Sequence, residues 1–169
     1  MLGVRWRGKV VMGGDGQVTL GNVVLKQKTS KIRKLYNDSV LVGFAGGTSD
    51  ALALLDQLES RLEEHNGNLE RAAYELGRDW RTDRYLRRME AMLIAMDKER
   101  SLLISGEGDL LAPDDNALAI GSGAAFALAA ARAYMDTSRL SAAEVVRRAL
   151  HIAADLCIYT NTEISVLEL

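Results

Sequence analysis

Residues 1–21 read MLGVRWRGKVVMGGDGQVTLG, and this opening stretch alternates between apolar residues and polar residues or glycine from Leu2 onward. The alternation forms two runs with an Arg7-Gly8 turn between them. A period of two on both sides of a short turn predicts a β-hairpin. Chain termini usually carry a few loosely held residues before the first element. A strand that starts at Leu2 therefore raises the question whether residues are missing upstream of Met1.

The composition is that of a folded globular protein. The chain has 169 residues, of which 48% are hydrophobic and 26% charged, so we expect one domain spanning residues 1–169. A net charge of −2 gives no electrostatic reason to expect a nucleic-acid partner. No apolar stretch approaches the about 20 residues that a membrane helix needs, and no signal peptide is expected. A single cysteine, Cys157, predicts a reducing, cytoplasmic environment.

Strands and helices are predicted to follow the hairpin in turn. Residues 26–38 alternate loosely and close with a Tyr36-Asn37-Asp38 turn, and residues 39–47 form a buried strand that runs into glycines. Apolar residues at helical spacing then predict two helices. The first opens at a Ser49-Asp50 cap pair and stops at Gly67; the second runs from Leu69 through Trp80 and extends towards Met89.

The second half of the chain repeats this order. A strand pair is expected at 91–97 and 101–109, followed by a short strand at 117–123. Two helices follow, one from about Ala124 to Met135 and one opened by a Ser141-x-x-Glu144 capping box, before a last strand at 163–169. The order βββ, αα, βββ, αα, β predicts an α+β fold, a four-layer αββα sandwich of mostly antiparallel sheets.

The GGDGQ segment, Gly13 to Gln17, is the first candidate for chemistry. It lacks the lysine and serine of a phosphate-binding P-loop, and it does not open a helix, so a nucleotide site is not expected. The segment is predicted to be a hairpin turn that uses the positive φ of glycine. Asp15 differs from its neighbours, because a carboxylate at a strand end could reach a buried cation.

Five basic residues crowd the segment from Lys26 to Lys34, and most are expected on a solvated face. A lysine of this segment that turned inward would need a carboxylate partner, since an unpaired buried charge costs several kcal/mol. Asp15 is an available partner.

Familiar nucleophile–base pairs are not predicted. Ser122, in IGSGA, is flanked by Ile120 and Ala124 and does not fit the G-x-S-x-G elbow. Neither His65 nor His151 makes a convincing Ser-His or Cys-His pair or a zinc site, and both are expected to be structural. The residues alone predict a sandwich with one lysine and one aspartate available for electrostatic work.

The chain resembles the HslV (ClpQ) family, which comprises the peptidase subunits of the bacterial HslUV protease and is related to proteasome β subunits. The similarity is in order, nearly free of gaps and spans essentially the whole chain. The stretches that carry it are GGDGQVTLGN (13–22), VGFAGGTSDA (42–51), DWRTDR (79–84), AIGSG (119–123) and DLCIYTN (155–161).

The resemblance implies the αββα fold of N-terminal-nucleophile hydrolases, in which an N-terminal threonine attacks the peptide carbonyl and its own α-amine is the base. Mature family members start Thr-Thr, then an apolar residue that Met1 matches, so the nucleophile is expected just before Met1. An internal methionine taken as the start, or a truncation, would explain its absence. The alternative is a catalytically inactive ring subunit that retains assembly and partner docking. Without the threonine, the chain is expected to be inactive.

The rest of the catalytic machinery is implied position by position. Lys31 matches the lysine whose charge favours the neutral amine base, and Asp15 matches its ion-pair partner. Ser122 matches the serine that hydrogen-bonds the terminus of the nucleophile. Gly46 matches the residue whose N–H stabilises the oxyanion, an interaction worth about 3 kcal/mol in such sites.

Substrate and ion contacts are implied in the same way. Thr19 and Thr48 match positions that hold the substrate as an added strand. Ala154, Cys157 and Thr160 match positions whose backbone carbonyls bind a sodium ion in relatives. Many relatives have glycine where this chain has Ala154, a change that a carbonyl ligand tolerates if the turn survives.

The resemblance further implies two stacked homohexameric rings that enclose the active sites. The partner would be a hexameric HslU-type ATPase that unfolds protein substrates and switches the peptidase on. ATP would be hydrolysed there, so no nucleotide is expected on this chain.

Overall fold

The computed structural model describes residues 1–82, 91–105 and 107–169, with Thr48 described by its backbone alone. The predicted extension of the second helix towards Met89, and the last two residues of the DWRTDR stretch, lie outside these ranges.

Eleven strands and four helices make up the described part of the chain. The strands are Leu2–Trp6 (β1), Lys9–Asp15 (β2), Val18–Leu20 (β3), Val23–Lys26 (β4), Ile32–Leu35 (β5), Val40–Gly46 (β6), Ala91–Met96 (β7), Ser101–Ile104 (β8), Leu110–Leu111 (β9), Ala117–Ala119 (β10) and Ile164–Glu168 (β11). The helices are Thr48–Glu64 (α1), Leu69–Thr82 (α2), Ala124–Thr137 (α3) and Ala142–Leu156 (α4). None of these helices is long and apolar enough to cross a membrane.

Two antiparallel sheets and two helix pairs form four layers. One sheet has the order β10-β1-β2-β11, and its outer face packs against α3 and α4. The other has the order β5-β6-β7-β8-β9 and packs against α1 and α2, where Trp80 is fully buried. A third apolar cluster, which includes Met12 and Ile94, fills the space between the sheets. The structure confirms the α+β, four-layer αββα sandwich.

Local capping signals were partly right. The capping box is present: the Glu144 backbone N–H donates to the Ser141 hydroxyl, and the Glu144 carboxylate accepts from the Ser141 backbone N–H. The predicted Ser49-Asp50 cap is wrong, because α1 begins earlier, with Gly47 as N-cap. The Gly47 carbonyl already accepts the first helical hydrogen bond, so the two cap candidates lie inside the helix.

The predicted GGDGQ turn is also wrong in detail. Gly13 and Gly14 lie within β2, and neither has a positive φ. Glycine is required at these two positions for lack of space and not for its backbone conformation. A Cβ on Gly13 would lie 2.5 Å from Val146 Cγ1, and one on Gly14 would lie 2.3 Å from Met1 Sδ. A larger residue at either position would collide with the Val146 or the Met1 side chain.

The loosely alternating stretch 26–38 is not one strand. Its first residue ends β4, which forms a separate two-stranded sheet with β3, and only Ile32–Leu35 joins the second sheet. Between β4 and β5 the chain crosses the end of β2, where the Thr29 backbone N–H donates to the Gly16 carbonyl at 3.0 Å. This crossing separates the two strands. The turn predicted at 36–38 is present, with φ between 47° and 60°.

Replacing Gly67 by alanine is expected to lower the free energy of unfolding by about 3 kcal/mol, measured by urea denaturation. Gly67 has φ +80°, and a Cβ there would lie 2.4 Å from the Tyr36 ring. Gly21→Ala is the matched control, because Gly21 has φ +55° but no atom within 4 Å of its Cβ position. It should lose only about 1 kcal/mol of backbone strain. Equal losses in the two variants would contradict the role of the Tyr36 contact.

Candidate active site

A cavity of about 600 Å³ opens where the ends of β1, β2 and β6 meet the segment before β5 and the loop after β10. It brings together residues far apart in the sequence, including most of the predicted site. Its lining includes Met1, Asp15, Gln17, Thr19, Thr29, Lys31, Gly46, Ser122 and Thr160.

Asp15 and Lys31 form an ion pair in the lining of this cavity. The Lys31 Nζ donates to Asp15 Oδ1 at 3.0 Å, and the two side chains are only 16% and 8% exposed. The other carboxylate oxygen accepts the Gln17 backbone N–H at 2.9 Å. Both oxygens are therefore occupied, which fixes the carboxylate and, through it, the ammonium group.

The backbone places both partners rigidly. Asp15 is the last residue of β2 and pairs with Ile164 of β11. Lys31 precedes β5, and its carbonyl accepts the Phe44 backbone N–H at 3.1 Å. The pair thus links the ends of the two sheets.

The Met1 amino group lies beside this pair. It donates to the Ile120 carbonyl at 3.0 Å, and burial lowers its pKa from 8.0 to about 6, with Asp15 raising and Lys31 lowering the pKa to smaller extents. The amine therefore lies within electrostatic range of both charged groups.

The buried amine makes stability depend on pH in a chain whose Met1 amine is free. Because its pKa is about 6 in the folded protein and 8.0 for an ordinary α-amine, the unfolded state holds more protons between these two pH values. The free energy of unfolding should therefore rise with pH from about 6 to 8, by about 2–3 kcal/mol in total. Urea denaturation across this range measures it. N-terminally acetylated protein should lack this rise, and identical curves for the two forms would contradict it.

Two further predicted site residues, Gly46 and Ser122, lie at or next to backbone bends around the cavity. Gly46 ends β6 with φ +106°, a conformation that requires glycine. Gly121 has φ +90°, and the exposed Ser122 follows it in the loop after β10. Both Gly46 and Ser122 line the cavity.

Of the two predicted substrate-binding residues, Thr19 and Thr48, only Thr19 can be placed in the cavity. Thr19 lies in β3 and lines the cavity, where its hydroxyl accepts from the Gln17 amide at 3.3 Å. Thr48 begins α1, and its side chain lies outside the described part of the structure.

The predicted ion-binding positions surround the end of α4. The Cys157 carbonyl accepts the Thr160 backbone N–H at 3.1 Å and its hydroxyl at 2.9 Å. This turn packs on the loop that carries Ser122, since a Cβ on Gly123 would lie 3.0 Å from Thr160 Cγ2. Thr160 alone of the three positions lines the cavity.

Sequence reasoning missed two residues that organise the site. Gln17 is buried, and its amide donates to the Ile158 carbonyl at 2.9 Å. Asn161 accepts from the Gly16 N–H at 3.2 Å and donates to the Gln27 carbonyl at 2.9 Å. Both lie in stretches that carry the family resemblance, which was the available signal, but their partners are far away in the sequence.

Comparison with known proteins identifies the architecture. The family model described as "Proteasome subunit" matches residues 1–169. A crystal structure of eukaryotic HslV from Trypanosoma brucei superposes with a TM-score of 0.95 at 45% identity, covering 99% of this chain and 97% of that one. The chain belongs to the HslV group of the proteasome family. The family is one of proteolytic subunits of the threonine-peptidase type.

More distant structures share the fold of this HslV-type chain. BPH from Thiobacillus denitrificans superposes with a TM-score of 0.74 at 16% identity, covering 99% of this chain and 96% of that one. The same protein in complex with epoxomicin gives 0.78 at 18% identity, with the same coverage. At these identities the likeness concerns the fold alone.

Proposed function

We propose that this protein is the proteolytic subunit of an ATP-dependent, proteasome-like protease, and that its nucleophile is a threonine two positions upstream of Met1. The observation that carries the proposal is the position of the Met1 amine, which lies buried beside the Lys31–Asp15 pair at the cavity.

The strand register supports that position for the threonine. Leu2 lies opposite Ala119, and Met1 exchanges two backbone hydrogen bonds with Ile120, of 3.0 and 3.2 Å. If the antiparallel pairing continues, a residue one position upstream lies opposite Gly121 and one two positions upstream lies opposite Ser122. The terminal amine would then come within reach of the serine hydroxyl.

Side-chain alternation supports the same residue as the nucleophile. The Met1 side chain faces the space between the sheets, where it packs on Gly14 and Gly43: a Cβ added to either glycine would lie within 2.5 Å of it. Alternate residues of a strand share a face. A residue two positions upstream would therefore point towards the second sheet, where Lys31 lies, and the residue between them would point towards the helices.

In this arrangement the threonine hydroxyl attacks the substrate carbonyl and its α-amine accepts the proton. The Lys31 ammonium disfavours protonation of the amine and so keeps the base neutral. The Asp15 carboxylate holds the lysine in place. The Gly46 N–H would stabilise the oxyanion of the tetrahedral intermediate.

The substrate is proposed to bind as an extended strand beside Thr19. Within the described residues β3 pairs only with β4, so its other edge is open beside the cavity. An unfolded polypeptide could add to this edge through main-chain hydrogen bonds, and Thr48, just after β6, would flank it on the other side.

A sodium ion is proposed at the carbonyls of Ala154, Cys157 and Thr160. Among the described residues, no hydrogen-bond donor reaches the Ala154 or Thr160 carbonyl. Carbonyl oxygens at the C-terminal end of a helix are suitable ligands for a hard cation. The Cys157 carbonyl is engaged by Thr160 and would have to share its lone pairs. The ion would supply charge that holds this turn against the Ser122 loop.

The assembly is proposed to be two stacked hexameric rings that work with a hexameric HslU-type ATPase in the cytoplasm. Family membership supports this, because this chain supplies the peptidase fold and the ATPase would unfold protein substrates. Light scattering of the purified chain, alone and with an HslU-type partner, measures both associations.

The competing proposal is a catalytically inactive ring subunit. The retained Asp15–Lys31 pair and the glycine conformation at Gly46 favour an active site instead. Intact mass and N-terminal sequencing of the protein isolated from its native cells separate the two. Thr-Thr ahead of Met1 supports the peptidase, and a native terminus at Met1 would overturn it.

A further inference from the structure

A second cluster of ligating side chains lies outside the peptidase cavity, at the turn between α1 and α2. Glu64 is the last residue of α1, His65 follows as its C-cap, and Glu75 projects from α2. Their side-chain ligand atoms all lie within 4.8 Å of one another. The proposed proteolysis makes no use of them.

We propose that Glu64, His65 and Glu75 form a binding site for a borderline divalent cation such as Zn²⁺. Imidazole nitrogen and carboxylate oxygen are both ligands that Zn²⁺ accepts, at about 2.0–2.2 Å. Two ligands of one ion then lie about 3–3.5 Å apart. His65 Nε2 and Glu75 Oε2 are already 2.8 Å apart, so small side-chain rotations suffice.

The backbone holds the ligands in place before any ion binds. The His65 N–H bonds the Arg61 carbonyl at 3.0 Å, and its own carbonyl accepts the Asn68 N–H at 3.1 Å. The His65 and Glu75 side chains are 16% and 22% exposed, so their freedom is restricted. The side-chain entropy lost when an ion binds therefore comes mainly from the exposed Glu64.

Charge at the cluster also favours a cation. Glu64 makes no hydrogen bond or ion pair with the described residues, and Glu75 is opposed only by Arg71, at 3.4 Å and 65% exposed, and by His65. The C-terminal end of the 17-residue helix α1 adds the negative end of its dipole. A bound cation would link the C-terminal end of α1 to the middle of α2, which His65 and Glu75 now join by one hydrogen bond.

The test uses the 169-residue protein and Zn²⁺ or Co²⁺ in isothermal titration, with the Co²⁺ absorption spectrum as a second readout. One ion per chain with a Kd below about 100 µM is expected. His65→Ala should weaken binding at least about tenfold, and Glu64→Gln at least about threefold. His151→Ala is the matched control, because this other histidine is exposed on α4, and it should bind as the parent does.

Glu64→Gln keeps the test sharp if His65→Ala alters the fold, since Glu64 is exposed and unpartnered among the described residues. The absence of saturable binding up to about 1 mM would overturn the proposal. So would binding that is unchanged in both Glu64→Gln and His65→Ala, or binding that is lost in His151→Ala. None of these outcomes depends on whether the protein hydrolyses peptides.

Discussion

Adding Thr-Thr ahead of Met1 should raise the rate of hydrolysis of a small fluorogenic peptide by at least about 10³-fold over the 169-residue chain. The extension supplies both the hydroxyl nucleophile and the free α-amine. Continued pairing of the strand beyond Met1 and Ile120 would bring both groups beside Lys31. A cleavable tag whose removal leaves threonine at the terminus produces the protein, and initial rates measure the effect.

Two further extensions control this experiment. Ala-Thr ahead of Met1 extends the strand and supplies a terminal amine but lacks the nucleophile, so it should hydrolyse the peptide no faster than the 169-residue chain does. Ser-Thr should recover part of the activity, because a hydroxyl is present. The assignment of the nucleophile to an upstream threonine would be contradicted if the unextended chain were fully active and a threonine-directed inhibitor stopped that activity.

Replacing Lys31 by alanine in the Thr-Thr chain should lower kcat/KM by about 10²–10⁴-fold. The ammonium lowers the pKa of the amine at Met1, and without it a terminal amine in this region is more readily protonated and less able to act as base. Kinetics from pH 6 to 9 should show the activity of the variant shifted to higher pH, which a purely structural role would not produce.

Loss of stability must be separated from loss of the base. Removing Lys31 leaves Asp15 buried and unpaired, which costs about 3–5 kcal/mol. The double variant Asp15→Asn, Lys31→Met removes both charges and should regain stability in urea while remaining inactive. Lys28→Ala is the matched surface control, since that lysine is 78% exposed in the same segment. Peptidase activity of folded Lys31→Ala within threefold of the parent would refute the proposed role.

Features governed by local interactions were predictable from the sequence. The Arg7-Gly8 turn, the α4 capping box and the helix periodicity all depend on residues a few positions apart, and each is present. One local signal, the predicted helix cap at residues 49–50, was wrong. Ser49-Asp50 is a good cap by composition, but α1 begins at Thr48, directly after β6 and Gly47.

The candidate site divides in the same way. Asp15 was singled out as a strand-end carboxylate, and an inward lysine was expected to need it, yet no spacing rule selects Lys31 among five basic residues. The family resemblance selected it, and in the structure the Lys31 Nζ lies 3.0 Å from Asp15 Oδ1. Gln17 and Asn161 escaped notice because their partners lie more than 100 positions away.

By itself the sequence determined the layer order and the residue types available for chemistry, because alternation and helical periodicity record which faces are buried. Only the tertiary structure decided that Gly13 and Gly14 are small to admit neighbouring side chains, and that the Met1 amine lies beside the Asp15–Lys31 pair. These arrangements depend on strand register between segments as far apart as Met1 and Ile120. Register follows from the simultaneous packing of both sheets, which no local pattern encodes.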